Sequence, residues 1–154
     1  MMERTLLLIK PDAIERGLIG RIISRFEDKG LRITGMKMLR LDLPLLEEHY
    51  SHLRDKPYFQ RIAEFMMSAP IIAVCIEGID SVRITRSMCG VTNAREASPG
   101  TIRGDMSMSI RSNLVHASDS IESAEIELKR FFMDAELFSY NRKLDEVIFI
   151  DAKP

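Results

Sequence analysis

The chain has 154 residues, 45% of them hydrophobic and 29% charged, with a formal net charge of -1 from 22 basic and 23 acidic residues. That is the length of a single domain spanning 1–154, the apolar content excludes a disordered chain, and the balanced charge means that any polyanion site must be local. Cys75 and Cys89 form no C-x-x-C pair, which argues against a disulfide framework and fits a reducing compartment.

Near the N-terminus only four apolar residues separate Thr5 from Lys10. A secretory signal needs a core of roughly 7–15. The longest apolar run, 69–76, falls far short of the about 20 residues that span a bilayer. A cytoplasmic protein with no membrane partner is expected.

Thr5-Leu6-Leu7-Leu8-Ile9 reads as a buried strand that stops at Lys10-Pro11-Asp12, where Pro11 suits the first turn of a helix. Ile19, Ile22, Ile23 and Phe26 recur at helical spacing and end at Gly30. Residues 31–38 alternate with period two, as a half-exposed strand does. Residues 44–67 are helical in two pieces around Pro57, 69–76 form a central strand ended by Gly78, and 81–88 form a short helix. From Gly90 to about Arg111 no period fits, and a loop of that length is usually functional. Leu114-Val115 is a very short strand before His116, and Ser118-Asp119-Ser120 cap a helix whose apolar face is Ala124, Leu128, Phe131 and Phe132. This order predicts an α+β sandwich with helices covering one sheet.

His116 stands between a strand and a helix N-terminus, a place that favours anions. It is either a satisfied histidine or a nucleophile left open by the small residues that follow it. Glu127 borders the apolar stripe and leans toward the His116 end of its helix. It is either a solvated carboxylate or the group that holds one imidazole nitrogen and frees the other. Between Arg83 and Asn113 lie five arginines and two acids, Glu96 and Asp105. Scattered surface arginines read the same way, but Arg86 and Arg103, with the Thr92 hydroxyl, offer donors suited to phosphate. Lys10, at a strand's end, either reaches into a cleft or snorkels to solvent. His49 and His52 invite a metal reading, but no third ligand is spaced to complete it. No P-loop, dinucleotide fingerprint or nucleophile elbow is present.

Asn113-Leu114-Val115-His116-Ala117-Ser118-Asp119-Ser120 resembles the active-site motif N-x-x-H-[GA]-S-D-S of the nucleoside diphosphate kinases. The resemblance extends over nearly the whole chain: Glu3-Arg4-Thr5, Ile9-Lys10-Pro11-Asp12, Arg16-Gly17-Leu18-Ile19-Gly20, His49-Tyr50, Gly90-Val91-Thr92-Asn93 and Pro99-Gly100-Thr101-Ile102-Arg103-Gly104-Asp105 all match. It implies a ferredoxin-like βαββαβ fold with a four-stranded antiparallel sheet. It also implies ping-pong transfer of a γ-phosphoryl group through phosphorylated His116, with broad base specificity. Glu127 and Ser118 would orient the imidazole. Lys10, Tyr50, Arg86, Thr92 and Arg103 would hold the phosphates, Asn113 the sugar, and Tyr58 with Ile62 the base. The metal would be Mg²⁺ carried by the nucleotide phosphates, with no protein ligands of its own. The implied partners are nucleoside di- and triphosphates and further copies of the chain, a hexamer being favoured over a tetramer. Tyr58 replaces the usual phenylalanine, and Val91 and Ala94 flank Thr92-Asn93 where other residues, often proline at the second position, are common, which leaves the loop start less stiff. A nucleic-acid-binding sheet is disfavoured by aliphatic strands and balanced charge. A catalytically silent scaffold is disfavoured by intact Lys10, Asn113, His116 and Glu127.

Overall fold

A computed structural model describes residues 2–150. Four strands, β1 (Met2–Ile9), β2 (Arg32–Leu39), β3 (Ile71–Ile79) and β4 (Val115–Ala117), form one sheet in the order β2-β3-β1-β4. Every neighbouring pair is antiparallel. Between β1 and β2 lie α1 (Pro11–Glu15) and α2 (Ile19–Asp28); between β2 and β3 lie α3 (Leu43–His49) and α4 (Phe59–Met67); α5 (Ser81–Cys89) and α6 (Ile102–Met106) precede β4, and α7 (Ile121–Phe131) follows it. This is the expected ferredoxin-like α+β sandwich.

The apolar run of β1 arises because it is covered on both faces. Side chains of a strand alternate. Leu7 and Ile9 pack with Val74, Ile76, Ile22, Phe26 and Ile102 on one face. Leu6 and Leu8 pack with Ala73, Cys75, Leu46, Met66, Leu128 and Phe131 on the other. All four β1 residues are wholly buried, so truncating any one to alanine costs about 2–5 kcal/mol.

Two local expectations are revised. Gly78 does not end the third strand: β3 runs on to Ile79, and Gly78 pairs with Glu3. A Cβ at Gly78 would lie 2.5 Å from Leu31 Cδ2, so the glycine admits a close neighbour instead of making a turn. The segment after Gly90 holds α6, five residues long and too short to show a period. The Thr101 hydroxyl caps it by accepting from Gly104 N at 3.0 Å. Past α7 a further short helix, α8 (Asp145–Ile148), is tied to β2 by the Arg32–Asp145 ion pair at 2.9 Å. Among the described residues no helix is long and apolar enough to cross a membrane.

The chain enters β4 through a strained turn. Leu114 has φ +72, and Val115 N donates to Asn113 O at 2.9 Å, closing a three-residue turn. That conformation costs a leucine about 1–3 kcal/mol. The surroundings offset it: Leu114 is wholly buried, its N–H donates to Asp12 Oδ2 at 3.0 Å, and its carbonyl accepts from Lys10 N at 2.8 Å.

Candidate active site

His116 is the middle residue of β4 and pairs with Leu8 of β1. Directly paired residues share a face, so the imidazole points into the layer where Leu8 meets Leu128 and Phe131 of α7. Glu127 precedes Leu128 on that helix. Its two oxygens lie 3.1 Å from His116 Nε2. A carboxylate only accepts, so Nε2 carries the proton and Nδ1 keeps its lone pair. Ser118 donates to Glu127 Oε2 at 2.6 Å and accepts from Leu6 N at 3.3 Å, which anchors the carboxylate to the sheet. Burial raises the pKa of Glu127, but the hydrogen bonds and charge of His116 and the Ser118 hydroxyl outweigh it, and the net direction is down. α7 is capped by Ser120, whose side chain accepts from Ser123 N at 3.0 Å.

A cleft of about 1170 Å³ opens beside His116. Its lining brings together Lys10, Tyr50, Tyr58, Ile62, Arg86, Thr92, Arg103, Asn113, His116 and Glu127. Ser118 lies behind this surface, fully buried.

The cations at one end are oriented from the backbone. Lys10 extends from the end of β1 and donates to Asn113 Oδ1 at 2.7 Å. Asn113 in turn donates to Thr92 O at 2.9 Å and Ile110 O at 3.0 Å. Arg103, on α6, donates to three carbonyls: Asn113 at 3.2 Å, Val115 at 2.7 Å and Gly90. α6 can approach because residue 104 is glycine; a Cβ there would meet Ser98 O at 2.1 Å. Arg86, in the last turn of α5, donates to Ala117 O at 3.2 Å and is exposed. Burial, then Arg103, brings Lys10 down to about 8. Burial, opposed by Cys89 and reinforced by Arg86, lowers Arg103. Like charges crowded together in this way are relieved by an anion.

At the other end Tyr58, 45% exposed, sits at the N-terminus of α4, with Ile62 one turn on. Tyr50 ends α3 with its ring 6.3 Å from the His116 ring; burial, then Glu127, raises its hydroxyl pKa.

In the sequence His49 carries no role beyond a disfavoured metal pair, and Arg130 is not singled out. His52 is exposed on the 3-10 turn Ser51–Leu53, whereas His49 is buried with its ring 4.7 Å from that of His116. The donor atoms of His49, His116 and Glu127 lie within 4.8 Å of one another, but Arg130 stands on His49 Nδ1 at 3.3 Å and would repel a cation there. The signal for His49 was its place beside Tyr50; for Arg130 it was the one-turn spacing from Glu127.

The family profile described as nucleoside diphosphate kinase matches residues 3–137. A nucleoside diphosphate kinase of Parabacteroides distasonis is 57% identical over 142 residues, 92% of this chain and 93% of that protein. One from Pyrococcus horikoshii is 49% identical over 146 residues, 93% of each. A solved structure of a halophilic nucleoside diphosphate kinase from Halobacterium salinarum, in complex with CDP, superposes with a TM-score of 0.94 at 41% identity, covering 97% of this chain and 99% of that one. A strained turn presenting a carboxylate-bound histidine, a cationic cleft and this breadth of similarity converge, and the chain belongs to the nucleoside diphosphate kinase family.

Proposed function

We propose that this chain transfers the γ-phosphoryl group of a nucleoside triphosphate to a nucleoside diphosphate by a ping-pong route through His116. The observation that carries the reading is the pairing of His116 Nε2 with Glu127 at 3.1 Å, which leaves Nδ1 as the nitrogen free to attack. The Nδ1 lone pair forms a bond to the γ-phosphorus as the bond to the β–γ bridging oxygen breaks, and the diphosphate leaves with that oxygen. The ring becomes cationic while Nε2 keeps its proton, and Glu127 stabilises the charge. A second diphosphate attacks the phosphorus through a terminal oxygen and returns His116 to neutrality.

Phosphoryl transfer asks the protein mainly for position and charge. Lys10, Arg86 and Arg103 stabilise the negative charge on the equatorial oxygens, and Thr92 and Tyr50 add hydroxyl donors. Asn113 faces the sugar. Tyr58 stacks under the base with Ile62 beside it, which leaves base identity largely unread. Mg²⁺ enters as part of the substrate, screening the phosphates. We further propose one functional unit over residues 1–154, working in the cytoplasm as a homo-oligomer, a hexamer in preference to a tetramer. The edge position of β2, with Met36 and Met38 more than half exposed, supports self-association.

The test is a phosphoenzyme experiment. Protein mixed with γ-labelled ATP and Mg²⁺ should retain label in an acid-labile, base-stable bond, release it to GDP as GTP, and acquire none as His116→Ala. Bound ATP without retained label would end the phosphohistidine reading.

A further inference from the structure

Two imidazoles compete for one carboxylate at the heart of the site. His116 Nε2 lies 3.1 Å from Glu127 Oε1, and His49 Nδ1 lies 3.9 Å from the same oxygen. Glu127 Oε2 already accepts from Ser118. A proton on His49 Nδ1 would draw Oε1 toward His49. His116 would then lose its partner and could take the opposite tautomer, with Nδ1 protonated and unable to attack. What prevents this comes from α7 itself. Arg130, one turn beyond Glu127, places Nη1 3.3 Å from His49 Nδ1 and donates from Nε to Glu48 Oε1 at 2.8 Å. A guanidinium only donates, so His49 Nδ1 must be an unprotonated acceptor and its proton must sit on Nε2.

We propose that Arg130 is a positioning residue for phosphoryl transfer: by donating to His49 Nδ1 it fixes His49 as the neutral Nε2–H form and reserves Glu127 for His116. This rests on His116 being the nucleophile.

Three further observations support it. The His49 side chain is 1% exposed and ringed by Tyr50 at 4.6 Å, His116 at 4.7 Å and Phe131 at 5.1 Å, so no bulk water can take over the task of Arg130. His49 Nε2 is buried and meets no partner among the described residues, so nothing there opposes a tautomer set from the Nδ1 side. Burial, then His116, with Arg130 and His52 adding and Glu127 opposing, takes the His49 pKa down to about 3, so the ring stays neutral beside a histidine that must become cationic. The Arg130–Glu48 pair does not account for the arginine by itself. The Glu48 side chain is 63% exposed, and pairs screened by solvent in this way add little.

The test combines a spectroscopic and a kinetic readout. In protein labelled with ¹⁵N at histidine, long-range ¹⁵N–¹H correlations should show His49 as neutral Nε2–H, and as Nδ1–H or charged in Arg130→Met. Single-turnover phosphorylation by γ-labelled Mg·ATP should slow roughly tenfold in Arg130→Met with nucleotide affinity unchanged, the scale at which loss of an outer partner disturbs an imidazole's orientation. On a His49→Phe background the same Arg130→Met change should alter the rate by no more than about twofold, because the competitor is gone. An Nδ1–H tautomer in the wild type, a wild-type rate in Arg130→Met, or an equal loss on both backgrounds would each overturn the proposal. The wild-type tautomer decides the matter even if Arg130→Met does not fold. No label on wild type would sink the His116 reading and this proposal with it; label on wild type with Arg130→Met unaffected would sink this proposal alone.

Discussion

At the His116 end of the cleft, the groups that touch the imidazole are themselves held: Glu127 by Ser118, Ser118 by the backbone of β1. At the Tyr58 end the lining is a half-exposed ring and an isoleucine on a short helix. The first region is preorganised around one atom, and preorganised polar groups are what lower a barrier. The second offers surface without directional bonds, and stacking accepts any base because every base has a π-face. One cleft can thus be strict about chemistry and tolerant about nucleoside.

Substitutions at the two ends should therefore split by kinetic constant. Glu127→Gln keeps the shape but removes the counter-charge to the phosphorylated ring. It should lower kcat by about 10²–10³ with little change in KM, read by steady-state transfer from ATP to a diphosphate acceptor. A comparable rise in KM would mean that the two ends are not separable. Tyr58→Ala should do the converse, raising KM about fivefold or more at constant kcat, by a similar factor for purine and pyrimidine diphosphates. A loss confined to one base would show that the ring reads identity after all.

The smallest effect concerns the cations that line the cleft with His116. Lys10 has a folded pKa of about 8 against an ordinary 10.5. The kcat/KM of the free enzyme should fall to about half near that value as the ammonium is lost. Between the two values the unfolded chain binds more protons than the folded one, so this group makes folding more favourable as pH rises. Activity and stability are thus expected to move in opposite directions there, which parallel pH profiles of rate and denaturant midpoint would check. Lys10→Arg should abolish the activity step, because its charge does not titrate in that range.

Much of this division was legible in the sequence, for physical reasons. The β1 run and the α7 stripe are long enough to be read, and the latter puts Glu127 on the helix that follows His116. The family resemblance along the whole chain implied the remaining candidate residues, and all but Ser118 line one cleft. The illegible parts are those decided by contacts distant in sequence. α6 spans only five residues. Gly78 resembled a stop because nothing local reveals that Leu31 needs its space. The left-handed backbone at Leu114 runs against residue preference and is held by Asp12, about a hundred positions earlier. His49 looked like half of a metal pair because its neighbour in space, Arg130, is far along the chain.

The three carbonyls gripped by Arg103 have a consequence for the long segment before β4. Gly90 lies where that segment leaves α5, and Asn113 and Val115 lie where it rejoins the sheet. One side chain, carried by the segment itself, thus cinches both of its ends, like a drawstring at the neck of a pouch. From outside, Arg25 of α2 holds Asp105 at 2.7 Å and also grips the Gly100 carbonyl near the tip. The pouch is therefore fastened at mouth and base independently of chain continuity. A single cut at its exposed tip would leave a two-piece enzyme whose halves stay docked, with Arg103 still on its three carbonyls.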